Sequence, residues 1–125
     1  MNEKTKNNQS GEDYLESIYL LSEQLDFVHR IDIAKRMGVS GAAVNKAVNL
    51  LMEKSLVYED GKHLYLTEEG RRYAKEIYEK HCVLRDFLRS LGVSETNAEE
   101  DACKMEHLLS DETFSAIARV YANKK

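Results

Sequence analysis

Three side chains that commonly bind transition metals fall close together near the C-terminal end of the chain. Cys103, Glu106 and His107 stand at positions i, i+3 and i+4, which share one face of a helix. This spacing aims a thiolate, a carboxylate and an imidazole at one point. A mixed sulfur, nitrogen and oxygen donor set suits Fe(II), Co(II), Ni(II) or Zn(II), and carboxylates with imidazole alone also suit Mn(II). The block therefore predicts a site for a divalent transition metal.

Two other places in the sequence offer ligands for such a site. Asp13 and Glu16 are three residues apart, so they share one side of a predicted helix, and His81 lies between Ile77 and Leu84 on an apolar stripe. Each has an ordinary structural explanation. A histidine on an apolar face can be a core residue, an acid in a first turn can favour the helix dipole, and a carboxylate can simply be solvated. Spacing alone leaves both interpretations open.

A second pattern, two short helices followed by a hairpin, is typical of a winged helix-turn-helix. The segment Ile31–Met37 ends at Gly38, and Ser40 caps the next helix, so that the letters MGVS form the turn. Residues 56–58 and 64–66 are apolar runs that flank Asp60-Gly61, a strong hairpin signal. This hairpin is the predicted wing.

The second helix of such a motif enters the major groove of DNA and reads bases with its N-terminal residues. The candidates for this role are Ser40, Gly41, Ala42, Ala43, Asn45 and Lys46. Basic residues nearby are candidates for contacts with the phosphate backbone, which position a protein without specifying sequence; they are Arg30, Lys35, Arg36 and Lys62. The same helices could instead be ordinary packing elements, and the adjoining wing favours DNA binding.

Helical periodicity accounts for most of the remaining chain. A first helix is capped by Ser10, a long helix runs from a Thr67 cap to about Ser90, and two shorter helices follow caps at Ser94 and Ser110. The inward positions predicted for the long helix and its successor are Ile77, Leu84, Leu88, Leu91, Ala98, Ala102, Met105 and Leu109. The expected fold is mainly α. A disordered tail (1–9) precedes a winged helix-turn-helix with a small β-hairpin wing (10–67) and an all-α domain (68–125).

Composition is consistent with a helical protein that binds DNA through one segment. Of 125 residues, 42 % are hydrophobic and 32 % charged, and no apolar run is long enough to span a bilayer. The net charge is −4, yet between Asp26 and Thr67 six basic residues oppose five acidic ones, so the acidity lies elsewhere. The polar N-terminus has no hydrophobic signal segment, which predicts a cytoplasmic protein without a membrane partner.

The two cysteines do not form a disulfide framework in such a compartment. Cys103 belongs to the metal-binding block. Cys82 adjoins His81 but faces elsewhere on the predicted helix, and we assign it no role.

Taken together, these segments resemble the diphtheria toxin repressor family, whose other branch is the manganese transport regulators. The resemblance is carried by residues 12–19 (EDYLESIY), the helix-turn-helix and wing, Lys80-His81, and residues 103–111 (CKMEHLLSD), and it covers nearly the whole chain from about Ser10. It implies a homodimeric repressor of metal-uptake genes that binds double-stranded operator DNA when loaded with metal. The ligands it implies are Asp13, Glu16, His81, Cys103, Glu106 and His107, and it implies that the all-α domain forms the dimer.

The chain departs from both branches of that family. The iron branch has a methionine where this chain has Asp13, and the manganese branch has a glutamate where this chain has Cys103. Glu99 stands where the iron branch has an ancillary histidine ligand, and Arg85 replaces an ancillary glutamate, which argues against an iron-type ancillary site. The implied co-repressor is Fe(II) or Mn(II), and Zn(II), Co(II) or Ni(II) are expected to bind in vitro.

Two other functions compete with a metal-dependent repressor. A winged-helix regulator could sense an organic ligand, with the histidines and cysteines serving only as core residues. A helical metalloenzyme or metal-storage protein would need no DNA-binding segment. The sequence contains no HExxH motif, nucleophile elbow or glycine-rich phosphate loop, so we do not expect an enzyme.

Overall fold

The computed structural model describes residues 11–124, with side chains through residue 121. The predicted cap at Ser10 and the predicted disordered tail (1–9) lie outside the described residues. The chain divides between Lys75 and Glu76 into two compact units, and this division falls inside a long helix.

The described residues form helices joined by short connections and one hairpin. In chain order they are α1 (Gly11–Gln24), α2 (Arg30–Met37), α3 (Gly41–Glu53), β1 (Val57–Asp60), β2 (His63–Leu66), α4 (Glu68–Ser90), α5 (Glu95–Leu108) and α6 (Asp111–Lys124). This order confirms the mainly helical fold, with a two-stranded antiparallel hairpin after the helix-turn-helix. In the part of the chain that the structure describes, no helix is both long and apolar enough to cross a membrane.

The first unit is built around the helix-turn-helix. Ile18, Ile33, Val44 and Val48 are fully buried and join α1, α2 and α3 into one core. Gly38 takes the left-handed conformation (φ +66°) that ends α2, because a glycine adopts it without a steric penalty. The hydroxyl of Ser40 accepts a hydrogen bond of 3.1 Å from the backbone N–H of Ala43, so the predicted cap of α3 is present.

The predicted hairpin is present, with one correction at its turn. Asp60 pairs with His63, so the two turn residues are Gly61 and Lys62 rather than Asp60 and Gly61. Gly61 has a φ of +68°, and among the other described residues only Ser55 has positive φ without being glycine. A single positive φ at the first turn position satisfies the strand twist, so Asp60 can remain in β1.

A close backbone approach fixes the start of α4 within the first unit. The hydroxyl of Thr67 caps the helix by accepting from the N–H of Gly70, and it donates to the carbonyl of Ser55. At Gly70, an added Cβ would lie 1.9 Å from the carbonyl oxygen of Leu56. Only glycine allows this approach.

In the second unit, the ionisable side chains of His81 and Glu106 are buried among small and aliphatic residues. Ile77 and Leu84 of α4 and Ala98 and Ala102 of α5 are buried, as predicted. Four predicted inward positions differ, because Leu91 is exposed and Leu88, Met105 and Leu109 are only half-buried. Leu91 follows the last residue of α4 and is 56 % exposed, and the acid Glu106 is buried where Met105 is only half-buried. Burial of a carboxylate instead of a neighbouring methionine indicates a polar function for this part of α5.

Candidate metal centre and nucleic-acid interface

His81 is the best-defined side chain of the candidate metal centre. It lies in the middle of α4 and is 5 % exposed. Its Nε2 is 2.6 Å from a carboxylate oxygen of Glu99 on α5, which is a short, charge-assisted contact. Since a carboxylate only accepts, Nε2 carries a proton in this contact, and Nδ1 is the ring nitrogen left to face other groups.

The other ring nitrogen of His81 faces a second, deeply buried acid. Nδ1 of His81 is 3.6 Å from a carboxylate oxygen of Glu106, and it has no hydrogen-bond partner among the described residues. The other carboxylate oxygen of Glu106 is 3.5 Å from Nε2 of His107. The thiol sulfur of Cys103 and a carboxylate oxygen of Glu106 lie within 4.8 Å of each other.

These separations fit donors that share an ion better than donors that share a proton. Distances of 3.5 and 3.6 Å exceed those of a good hydrogen bond. Around an ion with bonds of about 2.1 Å, neighbouring donor atoms lie about 3.0 to 3.4 Å apart. The buried Nδ1 atom of His81 has no hydrogen-bond partner among the described residues, and a bound metal ion would satisfy it. The residues present therefore fit a divalent transition metal.

Part of this arrangement was predicted and part was missed. The i, i+3, i+4 block does place Cys103, Glu106 and His107 on one side of α5, and His81 is on the buried face of α4. The direct contact between Glu99 and His81 was missed, because nothing local in the sequence pairs residues 18 positions apart. The only available signal was the position of Glu99, one helical turn before Cys103.

The predicted ligands of the first unit lie on α1. Glu16 is 8 % exposed, which is unusual for a glutamate, and Asp13 is half-buried. Both side chains have interaction partners. Solvation therefore does not explain the position of Glu16.

The candidate DNA-reading residues surround the N-terminal half of α3. Gly41, Ala42, Asn45 and Lys46 are exposed, and so is Ser40 before them. An open cleft of about 410 Å³ lies beside this end of the helix and is lined by Arg30, Lys35 and Asn45, among others. Lys62 is exposed at the tip of the wing, and Arg36 is exposed on α2.

Arg30 has contacts that the sequence did not predict. Its guanidinium donates to both carboxylate oxygens of Glu59 on β1, at 3.0 and 3.2 Å, and to Oδ1 of Asn45, at 3.0 Å. The hydrogen bond from Arg30 lowers the pKa of Glu59, and burial opposes this effect. Arg30 thus connects the wing to α3.

Two family profiles match adjacent parts of the chain. Residues 8–64 match the profile "Iron dependent repressor, N-terminal DNA binding domain". Residues 67–125 match "Iron dependent repressor, metal binding and dimerisation domain". The first match contains the helix-turn-helix and most of the wing, and the second contains His81 and the Cys103 block.

Proteins with related sequences are described as transcriptional regulators. The HTH-type transcriptional regulator MntR of Geobacillus kaustophilus is 39 % identical over 112 residues, which cover 89 % of this chain and 77 % of that protein. The protein of the same name from Bacillus subtilis is 37 % identical with the same coverage.

Solved structures share the fold as well as the sequence. The manganese regulator SloR superposes with a TM-score of 0.81 at 32 % identity, covering 90 % of this chain and 54 % of that chain. A manganese-dependent transcriptional repressor in complex with manganese superposes with a TM-score of 0.82 at 30 % identity, covering 90 % of this chain and 53 % of that one. The chain spans about half the length of these solved proteins. It belongs to the family of iron-dependent repressors and MntR-type regulators, a family of metal-dependent transcriptional repressors rather than enzymes.

Proposed function

We propose that this protein is a homodimeric repressor that binds double-stranded operator DNA when loaded with Fe(II) or Mn(II), and that it controls genes for metal uptake in the cytoplasm. One observation carries the metal-dependent part of this proposal. The buried Nδ1 of His81 faces the buried carboxylate of Glu106 at a distance too long for a good hydrogen bond. A regulator that senses an organic ligand does not need a buried histidine and a buried glutamate in this arrangement.

The proposed ligands come from three helices. His81 of α4 and Cys103, Glu106 and His107 of α5 lie in one compact unit, where the distances among them support a shared ion. We propose that Asp13 and Glu16 of α1 complete the ligand set, as the family resemblance implies. When bound, the ion would supply positive charge shared by donors on these helices, and it would restrict the conformations available to the segments that carry them.

Restricting conformation matters because DNA recognition by a dimer is geometrically demanding. The two recognition helices of a two-fold dimer must enter successive major grooves, which are about 34 Å apart. Only a subset of conformations allows the dimer to contact both half-sites. In that subset, the candidate base-reading residues at the start of α3 and the cations on α2 and the wing reach the DNA in both halves. Selection of that subset by metal would couple the two binding events, and operator DNA would tighten metal binding by the same factor.

The donor set favours a metal ion that can leave the site and exchange with ions in solution. Three of the six proposed ligands are carboxylates, whereas thiolates and imidazoles close the sites of structural zinc. The Cys103 thiolate favours Fe(II), whereas the two solved relatives named above are manganese-responsive, and the family resemblance implies a glutamate at this position in the manganese branch. Cellular supply of the two ions, rather than intrinsic affinity, then decides which one acts.

A metal titration of DNA affinity tests the proposal. The full chain, prepared without metal, is mixed with a labelled duplex from its own upstream region, and Mn(II), or Fe(II) under anaerobic conditions, is added stepwise. We expect affinity for DNA to rise about 10-fold or more on loading, within the usual range of coupling between two ligands. An affinity that does not change with either metal would refute the proposal.

Two controls separate the alternatives. His81→Ala should abolish the metal response while leaving the helix-turn-helix folded, because His81 lies in the other compact unit. Calorimetry should detect stoichiometric binding of metal by the wild type in the absence of DNA. If no metal binds, a sensor of organic ligands becomes the better explanation.

A further inference from the structure

The exposed amide of Asn45 on α3 has an orientation that a neighbouring arginine determines. Nη1 of Arg30 donates a 3.0 Å hydrogen bond to Oδ1 of Asn45. A guanidinium has donors only, so the amide atom beside it must be the oxygen. The amino group of Asn45, with its two N–H donors, therefore occupies the other branch of the amide.

Arg30 is held in turn by an acid of the wing. Its Nε and Nη2 atoms contact both carboxylate oxygens of Glu59, at 3.2 and 3.0 Å. Such a two-point contact fixes the plane of the guanidinium as well as its position. The series Glu59, Arg30 and Asn45 thus links β1, the first residue of α2, and the first half of α3, all within one compact unit.

This arrangement changes which base the amide can read. An asparagine usually reads adenine with both halves of its amide, accepting from the N6 amino group and donating to N7. In this chain Oδ1 already accepts a charge-assisted hydrogen bond from Arg30, so one of its two lone pairs is occupied, whereas both N–H groups keep their full capacity to donate. The N–H groups of Asn45 are the remaining donors, and guanine presents two acceptors, O6 and N7, on its major-groove edge.

On the basis of the proposed function, we infer that Asn45 is a specificity-determining residue that reads guanine in preference to adenine, because Arg30 and Glu59 fix its amide as a hydrogen-bond donor. Asn45 is exposed beside an open cleft, so a base edge can reach it. Arg30 and Glu59 act as positioning residues that need not touch the base themselves.

The test uses the manganese-loaded full chain and a randomised duplex library. After bound sequences are selected, the dissociation constant is measured for duplexes in which each G·C pair of the selected site is replaced by A·T. We expect one position in each half-site at which this replacement weakens wild-type binding about 10-fold. Asn45→Ala should reduce the difference at that position to about 2-fold or less, because the amide that distinguishes the bases is gone.

A matched control and a base analogue complete the experiment. Asn49→Ala, at an exposed asparagine one helical turn later on α3, should leave the preference for guanine unchanged. Replacing the guanine by 7-deazaguanine, which lacks the N7 acceptor, should weaken the wild type but not Asn45→Ala. In the wild type this replacement changes only the DNA, so the loss of affinity does not depend on how a substitution affects folding.

Each result has a definite consequence. If Asn45→Ala keeps metal-dependent binding and the same base preferences as the wild type, the inference is wrong while the proposed function stands. A wild-type preference for adenine at the Asn45-dependent position would also overturn it. If no duplex is retained with Mn(II) or Fe(II), the proposed function fails and the inference fails with it.

Discussion

Glu99 holds the ring of His81 through Nε2, at 2.6 Å, and thereby leaves Nδ1 as the ring atom that faces Glu106. The contact places a ring proton on Nε2 and fixes the rotation of the imidazole. Carboxylate groups that hold metal-binding histidines in this way also raise the basicity of the ligand. Glu99, itself 55 % exposed on its side chain, thus acts on the buried site through His81.

The first prediction concerns this supporting carboxylate. Glu99→Gln keeps the size of the side chain but removes its charge, so His81 should become a weaker and less well oriented ligand. We expect affinity for Mn(II) or Co(II), measured by calorimetry, to fall about 10-fold. Glu100→Gln, at the exposed neighbouring acid, is the control and should bind like the wild type. Equal affinities of the two variants would contradict the role given to Glu99.

The second prediction uses the two cysteines as a matched pair. Cys103 is proposed as a ligand, whereas Cys82 has no assigned role. A Co(II)-loaded wild type should show a sulfur-to-cobalt charge-transfer band, which Cys103→Ser should lose and Cys82→Ser should keep. Cys103→Glu should shift the metal response of DNA binding toward Mn(II), because a thiolate is replaced by an oxygen donor. An unchanged metal preference would show that Cys103 is not a ligand.

Local rules predicted the elements of the fold well. The stop at Gly38, the cap at Ser40 and the cap at Thr67 depend on single residues and their near neighbours, and all three occur as predicted. Burial of His81 also followed from helical periodicity, because its neighbours one turn away are apolar. The same helical spacing predicted that the three candidate ligands of the Cys103 block share one side of α5, because this does not depend on tertiary structure.

Contacts between distant segments could not be predicted in the same way. Arg30 and Glu59 are 29 residues apart, and each looks like an ordinary exposed charge when its neighbours alone are considered. The hydrogen bond between Arg30 and Asn45 depends on where α2 crosses α3. Arg30 was predicted to contact phosphate, and its three hydrogen bonds within the protein give it a positioning role that only the tertiary structure reveals.

A third prediction follows from the lowered pKa of Glu59. Because Arg30 stabilises the charged form, the pair stabilises the folded state above the ordinary glutamate pKa of 4.5, and this stabilisation is lost as pH falls through the lowered value. Glu59→Gln should therefore cost about 1 kcal/mol near neutral pH, as expected for a partly exposed pair, and progressively less below pH 4.5. Urea denaturation at several pH values measures this difference. In an Arg30→Met background the same substitution should show little pH dependence, and a persistent dependence there would mean that another cation stabilises Glu59.

The fourth prediction tests the close approach between α4 and the segment before the wing. Gly70→Ala would place a Cβ 1.9 Å from the carbonyl oxygen of Leu56, and a backbone atom cannot move aside as the end of a flexible side chain can. The same carbonyl accepts a hydrogen bond from the N–H of Thr67, so displacing it also disturbs the start of α4. We expect a loss of about 3 kcal/mol or more in the free energy of unfolding, measured by denaturant titration. Gly11→Ala is the control, because a Cβ there meets nothing within 4 Å, and it should be neutral or stabilising by up to about 1 kcal/mol. If the two variants were equally stable, α4 would not need to approach Leu56 this closely.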